Sequence, residues 1–212
     1  MSRRLLFVLM AVMVGVSLIP GVAGAADHDD PVYLSLGTSL SAGTLADVNG
    51  ASQPFTNKSF TDRLHPRLQK HFGGGLQHVK LGCPGETTVS MVTGIHAEGD
   101  ASVCALGGFD LYETGTQLGD AVALLTDPAA DVRLITLDMG ANDILRATPA
   151  ILGCGDDATC VQTILGGIAT NIAGIVGTLR GTGYTGPILA MNYYNPNLAA
   201  WVNPDVFTAG MD

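Results

Sequence analysis

The sequence predicts an α/β domain built on a parallel β-sheet. Three observations lead there. Short apolar strand candidates are separated by helical segments, the pattern of a parallel sheet. The clearest of them, VRLITLD at 132–138, does not alternate strictly with polar residues, which suits a strand covered on both faces. Three polar, glycine-bearing turns, GTSLSAG, GCPGETT and MGANDIL, each come directly after a strand candidate. In parallel sheets ligands gather beyond the carboxyl ends of the strands, so three turns distant in sequence would meet at one edge.

Residues 1–25 open with MSRR, continue through the apolar LLFVLMAVMVGVSLIPGV and end in AGA. That is the layout of a secretory signal peptide, leaving a mature domain of residues 26–212. The rival reading, a retained membrane anchor, is weakened by Pro20 and Gly21. Residues 32–36 read as a strand. Residues 59–72 read as a helix, with Leu64, Leu68 and Phe72 at four-residue spacing, and Pro66 would cost least in its first turn. Residues 78–82 are a second strand, and TTVSMVTG begins a short helix. Leu118, Val122 and Leu125 share a helical face within 115–126. After the strand at 132–138 comes a long helix over 160–180, then a strand over 188–192. No second stretch of membrane length is expected, because Gln162, Thr163, Thr170 and Asn171 interrupt residues 161–179.

Charge excludes one class of partner. Without the first 25 residues, 8 Lys+Arg face 19 Asp+Glu, with no basic cluster. Nucleic-acid binding rests on clustered cations, so it is not expected. The four cysteines and the export signal favour two disulfides. Of the three pairings four cysteines allow, local closure favours Cys83–Cys104 and Cys154–Cys160. A zinc site is disfavoured, because there is no CxxC pair and no histidine within a few residues of a cysteine.

The chemistry concentrates in the three turns. Ser39 stands where a strand-to-helix turn would lift a hydroxyl out of the sheet as a nucleophile. The plainer reading is that Ser39 caps a helix starting near Leu40. Gly85 lets a backbone N–H approach an oxyanion with no side chain in the way, and the Asn142 amide offers a further donor. Their plainer roles are a Pro–Gly turn and a turn stabiliser. Asp143 reads as a brace. Neither glycine-rich turn is GxxxxGK[ST] or GxGxxG, so a nucleotide site is weakly supported.

Taken together, YLSLGTSLSAG, KLGCPGETT and TLDMGANDIL resemble the three ordered blocks of the GDSL, or SGNH, hydrolases, in particular secreted actinobacterial lipase-like members. MNYYNPNLAAW at 191–201 also resembles the segment after the fourth strand in those proteins, so the similarity runs from about 31 to about 205. The resemblance implies a three-layer α/β/α fold around a central parallel sheet, flavodoxin-like in order. It implies hydrolysis of carboxylic esters, lipid or small-molecule, with no metal or organic cofactor. Ser39 would be the nucleophile, and Gly85 and Asn142 would help hold the oxyanion.

Two departures stand out. The family usually has Asp where this chain has Thr38, and that Asp helps hold the nucleophile turn. The family's closing Asp-x-x-His, which supplies the base and its orienting acid, has no counterpart, for the last histidine is His96. The chain is therefore expected to be C-terminally incomplete, without the last strand and helix, and catalytically impaired as it stands. The alternative function is a secreted lipid- or carbohydrate-binding domain on the same fold, without catalysis.

Overall fold

The computed structural model describes residues 30–46, 52–105, 109 and 111–191. Residues 1–25, expected as a signal peptide, and residues 192–201 lie outside them. In chain order the elements are β1 (Pro31–Gly37), α1 (Ser39–Ala42), β2 (Leu45–Ala46), β3 (Ser52–Gln53), α2 (Phe60–Phe72) and β4 (Gln77–Lys80). Then come α3 (Thr88–Thr93), α4 (Gln117–Thr126), β5 (Asp131–Asp138), α5 (Ala141–Gly153), α6 (Ala158–Gly181) and β6 (Ile188–Ala190).

The main sheet runs β4-β1-β5-β6, and every pairing in it is parallel. This is the 2-1-3-4 succession of a flavodoxin-like sheet, as the sequence predicts. All residues of β1 from Val32 on are buried, and so is β5 from Leu134 on, which explains why the run at 132–138 does not alternate. On one face Leu34, Leu36, Ile135 and Leu137 pack against Met91 of α3, Leu118 and Ala121 of α4, and Ile175 and Leu179 of α6. On the other, Tyr33, Leu76 and Leu134 meet Leu64, Leu68 and Phe72 of α2. Helices on both faces of the sheet make the three layers. β6 pairs with β5 alone among the described residues and leaves Leu189 53% exposed.

Local chemistry sets where the helices begin. Ser59 and Asp62 form a reciprocal capping box at α2, and Thr87 and Ser90 form another at α3. Thr116 accepts the Gly119 N–H at α4, and Asp157 accepts from Thr159 and Cys160 at α6. Each such cap contributes about 1 kcal/mol.

Several expectations need correction. Pro66 is the seventh residue of α2, not part of its first turn. An interior proline costs about 3 kcal/mol, and the apolar contacts of Leu64, Leu68 and Phe72 on the sheet outweigh it. Residues 141–153, read only as a turn at their start, form α5 with Pro149 inside it. The strand at 78–82 ends at Lys80, although the Leu81 and Cys83 N–H groups still donate to Ser35 and Gly37. The antiparallel β2–β3 pair went unread, although the Asn49–Gly50 dipeptide between the two strands is a turn signal. α6 is long and apolar enough to cross a membrane by length and composition, contrary to the sequence reading, and here it packs on the sheet through Ile175 and Leu179.

Both disulfides pair as local closure favours, Cys83–Cys104 and Cys154–Cys160. The first closes its loop over the buried Tyr112 cluster, and the second staples the α5–α6 turn.

Candidate functional site

The turn after β1 is built from Gly37, Thr38 and Ser39. The helix cap is Thr38, not Ser39: its hydroxyl oxygen accepts the Leu40 N–H, and Ser39 is the first helical residue. Ser39 is therefore released from the capping role that its sequence context allows. Its side chain is half-buried, and among the described residues its hydroxyl makes no hydrogen bond. Gly37 has φ +137°, and a Cβ there would run into the Asp138 carboxylate.

Two remote side chains grip this turn. Gln117, at the start of α4, accepts the Gly37 N–H at 2.6 Å and donates to the Gly37 carbonyl at 3.0 Å. Asp138, at the end of β5, accepts the Thr38 hydroxyl at 2.7 Å and the Thr38 N–H at 3.3 Å. Burial pushes the Asp138 carboxyl up to about 6, against the pull of hydrogen bonds from Thr38 and Ser41.

The second loop, Cys83–Thr87, is bound to the first by the Cys83 N–H, which donates to the Gly37 carbonyl at 3.0 Å. Gly85 lies exposed at its crest with φ +78°, a conformation that favours glycine. Beneath it Glu86 is fully buried among hydroxyls: Ser90 donates to one carboxylate oxygen, Ser102 and Tyr112 to the other. Burial raises its pKa above the ordinary carboxylate value. The Tyr112 hydroxyl also accepts from Gln117, so one polar string joins the Glu86 loop to the Ser39 turn.

The third loop docks on the second. The Asn142 amide donates to the Glu86 carbonyl at 2.8 Å. Asp143 accepts both the N–H and the hydroxyl of Thr88, the first residue of α3. Asn171 of α6 donates to the same Thr88 hydroxyl. The brace expected of Asp143 is thus a link from loop three to loop two. Ser39, Gly85 and Asn142 come to lie on three loops joined in series, the first bonded to the second and the second to the third, while Asp138 at the end of β5 holds the first. Glu86, Gln117 and Asp138 were missed in the sequence. Only Asp138 carried a signal there, a charge closing an apolar strand.

Among the described residues, His78 and His96 make their hydrogen bonds elsewhere. His96 is 5% exposed, and its Nδ1 sits 3.1 Å from Thr87 Oγ1 at the start of α3. Burial, then the Arg146 charge, hold its pKa below the usual histidine value. That bond ties the ring to the α3 cap and not to the Ser39 turn. His78 forms a string that imitates catalytic geometry, with Nε2 3.0 Å from Ser35 Oγ and Nδ1 3.8 Å from Asp62. Ser35 is wholly buried within the sheet, so no substrate reaches that hydroxyl.

A parallel sheet flanked by helices, with its polar loops tied together at the carboxyl edge, defines the three-layer α/β/α class of the SGNH hydrolases. The family assignment rests on the sequence match: the GDSL-like Lipase/Acylhydrolase profile covers residues 33–203, and the chain belongs to that family. Among solved structures, the lipase Lip_vut3 from a goat rumen metagenome is similar in fold, with a TM-score of 0.52 at 15% identity over 84% of this chain and 71% of that one. No curated protein matches the chain.

Proposed function

We propose that this chain is a secreted serine hydrolase of carboxylic esters, with Ser39 as nucleophile. Family membership and the series of bonds that joins the Ser39 turn to the Gly85 loop and that loop to Asn142 support the reading, and the second of these carries it. Ser39 Oγ attacks the acyl carbon, the alcohol leaves, and water then releases the acyl group from Ser39. The Ser39 N–H stands at the first helical position, where no intrahelical acceptor exists. The Gly85 N–H and the second N–H of the Asn142 amide complete the oxyanion donors. One N–H of that amide already holds the Glu86 carbonyl, which fixes where the other is directed.

The Ser39 proton needs an acceptor, and the sequence holds no histidine after His96. Turnover is therefore the property to measure. The lipase-like and actinobacterial affinities and the signal peptide at 1–25 belong to this reading, and two disulfides fit an oxidising compartment.

The test is p-nitrophenyl butyrate hydrolysis by residues 26–212 beside Ser39→Ala and His96→Ala. Turnover lost in Ser39→Ala and kept in His96→Ala is the expected result. No Ser39-dependent turnover in a folded sample would sink the enzyme reading and favour a binding domain.

A further inference from the structure

The residue before Ser39 is held by a buried carboxylate. Thr38 gives Asp138 both its N–H and its hydroxyl, and the Thr38 carbonyl in turn accepts the hydroxyl of Ser41, on the other side of Ser39, at 3.0 Å. Asp138 has no exposure to solvent. The space it fills is left open by Gly37, where any side chain would collide with it. The carboxylate is thus built into the turn from a strand 100 residues away.

We propose that Asp138 is the positioning residue of the Ser39 turn, acting through Thr38 to hold Ser39 Oγ in its attacking place. This rests on the reading of Ser39 as nucleophile. It also accounts for Thr38: the turn keeps a carboxylate, supplied by β5 instead of by the residue before the serine. Positions 38 and 138 should then be interchangeable carriers of one charge.

The experiment compares the full chain with Asp138→Ser, Thr38→Asp and the double variant Thr38→Asp/Asp138→Ser. Steady-state kinetics use p-nitrophenyl butyrate, and melting temperatures are recorded beside them. Asp138→Ser is expected to lower kcat roughly tenfold or more at little-changed KM. The double variant is expected to regain most of that loss. Wild-type kcat in Asp138→Ser, or a double variant that regains its melting temperature but not its kcat, overturns the proposal.

If Asp138→Ser does not fold, Asp138→Asn keeps the volume and is read the same way. If the wild-type chain shows no Ser39-dependent turnover, the nucleophile reading fails on its own. The anchoring is then read by hydrogen exchange at the Thr38 N–H. Exchange should be faster in Asp138→Ser and restored in the double variant, and unchanged protection overturns it.

Discussion

Gln117 satisfies both backbone polar groups of Gly37, accepting its N–H at 2.6 Å and donating to its carbonyl at 3.0 Å. Both residues are buried, so no water replaces the amide if it is removed. Gln117→Ala leaves the buried Gly37 N–H without its acceptor, while the Gly37 carbonyl keeps the Cys83 N–H and the Tyr112 hydroxyl keeps Glu86. The expected loss is about 2 kcal/mol, a fall in melting temperature of roughly 6 °C. Gln117→Glu keeps the acceptor and loses the donor, so it should fall between wild type and Gln117→Ala. Urea titrations of the three proteins check the order.

Stability should weaken as the solution is acidified from about pH 6.5 to pH 4 because of His78. The ring stacks on Tyr33 at 4.5 Å, and burial, then the charge of His65, lower its pKa to about 4. Between the folded value of about 4 and the ordinary value of 6.5, the unfolded chain binds a proton that the folded chain does not. The loss is at most about 3 kcal/mol and levels off below pH 4. Asp138 acts in the opposite sense, since its raised pKa lets the folded chain take a proton first below about pH 6. His78→Phe should therefore remove the loss and leave stability level or rising on acidification. Denaturant midpoints at pH 6.5, 5.5 and 4.5 decide it.

Asn142→Ala separates an oxyanion donor from a turn stabiliser. Loss of the bond to Glu86 alone costs about 1 kcal/mol of stability. Loss of a transition-state donor lowers kcat by about 10²–10³ with little change in KM. Kinetics and melting curves on the same preparation give both quantities. An unchanged kcat would assign Asn142 to the turn only.

The two disulfides should differ in weight. By chain entropy, Cys83–Cys104, with a separation of 21, stabilises by about 3 kcal/mol, and Cys154–Cys160, with a separation of 6, by about 2 kcal/mol. Loss of the first also frees the loop that carries Gly85. Cys83→Ala/Cys104→Ala should lower both stability and turnover. Cys154→Ala/Cys160→Ala should lower stability and leave turnover largely intact.

Much of the fold was legible because it rests on short-range rules. The apolar spacing of Leu64, Leu68 and Phe72 acts over one turn of helix. The run at 132–138 announces a strand covered on both faces by its composition alone. The three loops could be placed at one sheet edge once the strands were taken as parallel. Helix α5 escaped because Pro149 and the polar Asn142–Asp143 pair mask its periodicity.

By itself the sequence determined the α/β class, the existence of α2, α4 and α6, the disulfide pairing that local closure favours, and the three loops bearing Ser39, Gly85 and Asn142. Only the tertiary structure decided what those loops rest on. Gln117 reaches Gly37 across 80 residues and Asp138 reaches Thr38 across 100. Such bonds depend on which strands become neighbours and in what register, and no periodicity or cap encodes that. The neutral state of His78 has the same origin. An imidazole loses its charge when α2 and the sheet close around it, and burial of that kind exists only after the chain has folded.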